Sequence, residues 1–224
     1  MNRIGKFLFA TAVISLLTLS AGFVSCSTDE EDDYVYPSLL SEFADVATDA
    51  SGAFTHICID NGQTLLIVNA SELVAEGVTP DTVYRVLSRY ELVDEGAKLY
   101  SLQAIAAPYA LPADSFPNGI KSDAVAMQSI WRGGSYLNMI LLVKAQRGKH
   151  IFQFVEDSLT VSSSGKYTLY LRLYHDADGD VQAYTQKACL SVPLHPYSSR
   201  LSLGDTIIFS IPTHQGWQQW KRAY

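Results

Sequence analysis

His175-Asp176-Ala177-Asp178-Gly179-Asp180 sets three carboxylates at alternate positions, the spacing with which a calcium loop turns successive oxygens toward one hard cation. The rest of that ligand set is missing: Val181 stands where the sharp turn wants glycine, and Lys187 where a bidentate glutamate would close the shell. The competing reading is a hairpin loop turned by Asp178-Gly179, and it is preferred, with Asp176, Asp178 and Asp180 kept as the chain's candidate metal ligands and no metal or cofactor expected. Ser163-Ser164-Gly165-Lys166 satisfies Ser-x-x-Lys, in which a lysine activates a serine one helical turn away. Gly165 and the alternation from Tyr167 to Leu173 predict a turn entering a strand instead, and the companion Lys-Thr-Gly is missing.

Other reactive signatures are missing too. The chain has no Gly-x-Ser-x-Gly elbow, no His-Glu-x-x-His, no Cys-x-x-Cys and no phosphate-cradling loop ending in Gly-Lys-Ser/Thr. The histidines at 56, 150, 175, 195 and 214 never take metal-ligand spacing along the sequence, and His56 and His150 read as sheet residues. No catalytic residue is assigned, and the protein is expected not to be an enzyme. Rings on strands could stack on sugars: Tyr84 and Tyr90 early in the chain, and Tyr170 and Tyr174 beside Arg172, the candidate ligand-binding residues, although tyrosine also simply suits a pleated surface. Trp217 and Trp220 could pack back on a sheet or protrude as a contact, and the sequence leaves both open.

The elements that must position these residues are strands. Ser38–Val46, Ala53–Asp60 and Gln63–Val68 form a meander whose second turn, Asn61-Gly62, calls for positive φ at two positions. A short helix is expected from Ser71, a capping residue, to the stop at Gly77, followed by strands Thr82–Val93 and Lys98–Ala107. Meander, helix and two further strands is the order of a five-stranded OB barrel, assigned to residues 37–118. Pro108, Pro112, Pro117 and Gly119 break the chain before a second module, residues 119–224. There, six runs (Asp123–Trp131, Tyr136–Lys144, Lys149–Val155, Lys166–His175, Tyr184–Val192 and Asp205–Ile211) suit an antiparallel β-sandwich. Leu137–Val143 is apolar on both faces and suits a doubly covered central strand. The fold class is mainly β.

Charge separates the halves. Residues 34–118 hold eleven acids against Arg85, Arg89 and Lys98, whereas residues 119–224 hold seven acids against eleven Lys and Arg. An OB-like module with so acidic a surface does not suit a phosphate backbone, which excludes nucleic acid as a partner.

The start of the chain gives an address. Arg3 and Lys6 precede an uncharged run from Phe7 to Val24, an export signal over residues 1–25 that is also about long enough to span a bilayer. The cysteine decides for cleavage, since Phe23-Val24-Ser25-Cys26 resembles a bacterial lipobox, with Cys26 the lipidated residue. Asp29-Glu30-Glu31-Asp32-Asp33 repel one another and cannot be buried, so residues 26–36 form an acidic tether of the kind that resembles an outward export signal. A merely acidic linker on a periplasm-facing protein is the other reading. The remaining cysteines, Cys58 and Cys189, lie in apolar runs and are expected to be unpaired.

Lipobox, acidic tether, OB-like module and a sandwich beginning near Trp131-Arg132-Gly133-Gly134-Ser135-Tyr136-Leu137-Asn138 together resemble the NigD-like lipoproteins of Bacteroides and its relatives. That resemblance implies two β domains and an envelope location and supplies no catalytic residues. Through the founding member's association with a bacteriocin gene cluster, it also implies immunity or accessory work. The expectation is a non-catalytic binding or scaffolding lipoprotein on the outer membrane surface, with an extracellular glycan or envelope protein as partner. Two alternatives stand beside it: bacteriocin immunity, and an envelope enzyme with its site at the domain cleft.

Overall fold

Alternating side chains decide where the core lies. In the computed structural model, which describes residues 36–73, 77–94 and 96–224, the strand Tyr167–Asp176 points Leu169, Leu171 and Leu173 into a solvent-free interior. Its other face carries Thr168, Tyr170, Arg172 and Tyr174, all half-buried. Cys26, the leader and the acidic run fall outside the described residues.

The first five strands are β1 (Leu39–Thr48), β2 (Phe54–Ile59), β3 (Thr64–Leu66), β4 (Val83–Val93) and β5 (Gly96–Ala104). They form one antiparallel sheet in the order β3-β2-β1-β4-β5, closed over Ala44, Val46, Ile57, Val86, Tyr90 and Leu99. A parallel bridge between Ile67 and Ala97, with the Val68 N–H donating to the Ala97 carbonyl at 3.1 Å, brings the end of β3 beside β5. The expected barrel goes no further, and the five strands make a curled sheet whose edges touch without closing. The reason is Asn69. Its side-chain amide takes the Leu99 carbonyl and N–H, each at 2.9 Å, where another turn of ladder would have been needed. Of the expected helix, Ala70–Glu72 forms a single 3-10 turn, and residues 74–76 lie outside the described ones.

Sheet membership changes between Ala104 and Leu111. The remaining strands are β6 (Leu111–Pro112), β7 (Ala126–Gly133), β8 (Tyr136–Ala145), β9 (Ile151–Val161), β10 (Tyr167–Asp176), β11 (Tyr184–Pro193), β12 (Thr206–Thr213) and β13 (Gly216–Ala223). They pack as a sheet of order β13-β12-β10-β9-β6 against a smaller one of order β11-β8-β7. Pairing is antiparallel except for β10 with β12 and β6 with β9. Two-residue β6 survives its proline because it lies on an edge, where the missing N–H costs no ladder bond. The C-terminal tryptophans belong to a strand not expected from sequence: β13 pairs with β12 along its length, leaving Trp217 about half exposed and Trp220 packed against the core.

Between the sheets lies the main core, with Leu137, Met139, Leu141, Phe154, Leu171 and Phe209 fully enclosed. As its apolar run predicts, β8 is central and covered twice. Its odd residues face this core, while Asn138 and Ile140 face the first sheet. Residues Pro37–Tyr224 form one compact unit. Leu171→Ala, which removes a fully enclosed side chain from a closely packed interior, is expected to lower unfolding stability by about 2–5 kcal/mol, measured as a fall in urea midpoint at unchanged slope.

Candidate functional site

The first sheet and the β7-β8-β11 sheet meet at a buried cation. The Arg85 side chain, on β4, is only 4% exposed and spends its donors on groups from both sheets. Nη2 donates to Asp60 Oδ2 at 2.8 Å and Asn138 Oδ1 at 2.9 Å, Nη1 to Asp45 Oδ1 at 3.3 Å, and Nε to Ser191 Oγ at 3.2 Å. Asn138 Nδ2 donates to Asp60 Oδ2 at 2.6 Å and the Ser191 hydroxyl to Asn138 Oδ1 at 2.7 Å, which closes the network. The Tyr136 ring lies 3.9 Å from the guanidinium carbon, a cation–π contact. Burial pushes the Asp45 carboxyl above the usual carboxylate range, and its interaction with Arg85 only partly offsets this. Burial, reinforced by the Asp45 charge, likewise pushes the Tyr136 phenol up to about 12.

Local backbone explains why these groups reach Arg85. The β2–β3 hairpin forms, but its loop is Asp60-Asn61-Gly62, with the Ile59 N–H donating to the Gln63 carbonyl and positive φ at Gly62 but not at Asn61. The expected two-residue turn is thus one residue longer. That extra residue frees Asp60 from the ladder, and its carboxylate turns to Arg85. Opposite it, a Cβ on Gly133 would collide with the Asp60 carboxylate and the Asn138 amide, so only glycine lets the β7–β8 turn come this close. The Trp131-to-Asn138 stretch is therefore a docking surface. Gly133 admits Asp60, Tyr136 covers the guanidinium, Asn138 bonds it, and Trp131 packs on Phe43 at 5.1 Å between ring centroids.

From this joint the two sheet faces diverge into a cleft of about 620 Å³. Two residues further along each strand the polar floor gives way to Leu87, Ile140 and Cys189, with Phe43 and Trp131 beside them. At the mouth stand Arg89, Lys187, Gln103 and Ser41. The volume suits a bound ligand. Burial pushes the Cys189 thiol up, against the direction a nucleophile needs. Among the described residues, no buried side-chain nitrogen or oxygen lacks a hydrogen-bond partner.

The residues singled out from sequence fall elsewhere. Arg172 holds Asp157 through both Nε and Nη2 and lies 5.8 Å from the Trp217 ring centroid, on an open face shared with Ser210 and Gln219. Tyr174 is stacked on Phe116, and Tyr170 lies along the same strand face, half-buried. Tyr90, expected as a stacking ring, is enclosed in the first core with its hydroxyl donating to Glu42 Oε2 at 2.6 Å, and Tyr84 accepts the Thr79 N–H. Ser163 and Lys166 sit in the β9–β10 turn and not on a helix. Cys58 and Cys189 are unpaired.

Asp176, Asp178 and Asp180 do not converge. Asp176 Oδ1 accepts the Asp178 N–H in the turn, while Asp180 reaches across to the N–H groups of Gln146 and Arg147. The loop is not a hairpin, because β10 and β11 lie in different sheets. Asp180 ties this crossover to another, between β8 and β9. Those backbone N–H bonds hold the Asp180 carboxyl well below the usual range. Beside it the fold joins two histidines that sequence spacing kept apart. His150 Nδ1 is 2.8 Å from His175 Nε2, and His175 Nδ1 donates to the Asp123 carbonyl at 2.9 Å, which leaves Nε2 to accept from His150. Phe152 stacks on His175 at 4.7 Å, and His150 Nε2 faces Asp180 Oδ2 at 3.4 Å. Desolvation lowers the His175 pKa from its ordinary 6.5. No group of three or more His, Cys, Asp or Glu among the described residues is placed to hold a metal.

Comparison with known proteins fits this architecture. Residues 111–222 match the NigD-like C-terminal β-sandwich domain. A NigD-like immunity protein from Bacteroides caccae is 34% identical over 84% of this chain and 94% of its own, with a TM-score of 0.65. The same fold recurs at 19% identity in a toxin-related protein of Parabacteroides distasonis (83% of this chain, 93% of that one, TM-score 0.64). It recurs at 17% in a Bacteroides vulgatus protein of unknown function (84% and 91%, TM-score 0.63). No curated protein matches. The chain belongs to the NigD-like family.

Arg85→Met removes the cation and strands two carboxylates, so it is expected to cost about 3–5 kcal/mol in urea unfolding, more than Asp45→Asn, whose acid is already disfavoured by burial. Neutral His175 and ionised Asp180 are both favoured by folding, so each contributes stability above its unfolded pKa that is lost as pH falls through the lower folded value. Melting temperature should therefore decline as pH drops below about 6.5, first through His175, and His175→Gln should flatten that first part of the decline.

Proposed function

We propose that this chain is a non-catalytic lipoprotein displayed on the outer face of the outer membrane, anchored through Cys26 and held off the bilayer by its acidic tether. It binds or scaffolds an extracellular glycan or another envelope protein. The observation that carries this reading is the cleft: a wedge of about 620 Å³ with aromatic and aliphatic walls, whose floor is locked by fully partnered polar groups. A preformed site with rigid supports favours binding. The upward shift of Cys189 and the lack of an activated nucleophile in the cleft argue against covalent chemistry there.

Anchoring by acyl chains needs no spanning helix, and among the described residues no helix is long and apolar enough to cross a membrane. Likeness to the Bacteroides caccae NigD-like immunity protein favours a second reading, in which the partner of the cleft is a bacteriocin. Both readings place a partner on the same surface. In intact cells, added proteinase is expected to degrade the protein, and Cys26→Ala is expected to move it from the membrane to the soluble fraction. Protection from proteinase would overturn surface display, and continued sedimentation of the variant would overturn lipid anchoring.

A further inference from the structure

We propose that the cleft takes an acidic saccharide, its carboxylate or sulfate held between Arg89 and Lys187 while a sugar ring lies against Trp131. This rests on the reading of the cleft as the binding site and adds the chemistry of what fills it.

Charge at the mouth is the first ground. The deeper acid, Asp60, shares Arg85 with Asp45, and Glu42, whose carboxylate accepts the Tyr90 hydroxyl, keeps its charge, so Arg89 and Lys187 are the mouth's own positive groups. Among the described residues neither Arg89 nor Lys187, both exposed, forms an ion pair, although the module carrying Arg89 is strongly acidic. The two positions come from opposite walls, β4 and β11, so one anionic group between them would close the mouth of the wedge. Two cations fit one or two acidic groups and not a polyanionic backbone.

The walls are the second ground. They are largely sheet faces: β1, β4 and β8 are internal strands whose ladders are already paired, while β5, β7 and β11, which also line the cleft, are sheet edges, β11 being bridged on its free side at Ala106–Leu190. Recognition falls to side chains. Ser41, Asn61 and Gln103 present hydroxyl and amide groups, which both donate and accept, as sugar hydroxyls require. Trp131 supplies the apolar platform, held by Phe43 behind it and by the β7–β8 ladder, in which it pairs with Asn138 of the Arg85 network. Such a platform is pre-organised, so little order is lost when a ring settles on it.

The test probes detergent-solubilised full-length protein against an array of neutral, uronate-bearing and sulfated oligosaccharides, with Arg89→Gln/Lys187→Gln and Leu87→Arg as variants. The double glutamine variant alters exposed side chains only, and Leu87→Arg blocks the cleft. The expected result is retention of acidic oligosaccharides, with binding weakened at least about tenfold by the double variant and by carboxyl reduction of the sugar, and lost with Leu87→Arg. Equal binding of neutral and acidic sugars, lost only with Leu87→Arg, overturns the assignment of charge and leaves the cleft as a site. A blank array together with an envelope protein retained by the wild type and not by Leu87→Arg overturns the saccharide and keeps the binding reading. A blank array with no cleft-dependent retention overturns both.

Discussion

A guanidinium cannot be left alone in a protein interior, and the architecture of this molecule follows from where its buried one is satisfied. Arg85 sits on the outer face of the first sheet, yet three of the groups that accept or cover it, Asn138, Ser191 and Tyr136, belong to the sandwich. Desolvation consumes much of what these contacts return, as the raised Asp45 carboxyl shows, so the network is better understood as a device for register than as a large net stabiliser. Any sliding of one sheet over the other would pull Asn138, Ser191 and Tyr136 away from the guanidinium, whose counter-charges, Asp45 and Asp60, belong to the first module.

The cleft inherits its geometry from that joint. On β4, residues 85, 87 and 89 run from the polar floor through the apolar wall to the mouth, and on β11, residues 191, 189 and 187 do the same. One alternation of side chains therefore builds both the hinge point and the site. A wedge with a fixed apex keeps its walls at a set distance, which is the property a binding surface needs and a reacting centre would supplement with an activated group. The clamp at one end of the sandwich, where Asp180 and the two histidines join the crossovers, braces the β10–β11 connection that leads into one wall of the cleft.

Much of the fold was legible in the residues. Alternation in Tyr167–Tyr174 and the two-sided apolarity of Leu137–Val143 located strands whose burial matches, because side-chain period is a direct consequence of pleating. The C-terminal β13 was not legible, since Gln218, Gln219, Lys221 and Arg222 on a short edge strand carry no apolar alternation. Barrel closure was overstated because nothing in the spacing reveals that a side chain, Asn69, takes the place of ladder. The site was the least visible. Asp60, Arg85, Asn138 and Ser191 are scattered over four segments, and their only local signals were an arginine among the apolar residues that open β4 and an acid before Asn-Gly. The Trp131–Asn138 stretch stood out as a family signature, yet its work in docking the sheets appears only in three dimensions.

Arg85 and Ser191 are 106 residues apart, and the charge-covering contacts from Asn138 lie 53 residues on. Contacts so distant close late, after the entropy of a long intervening chain has been overcome. The early strands can curl over their own small core, but their outer face, with Phe43 and Leu87 beside a guanidinium paired to Asp45 and Asp60 and still without Asn138, Ser191 and Tyr136, must wait for nearly the whole polypeptide. Maturation is thus not sequential from the amino end, and for that interval the half-assembled first module exposes apolar surface that the finished molecule turns toward the sandwich.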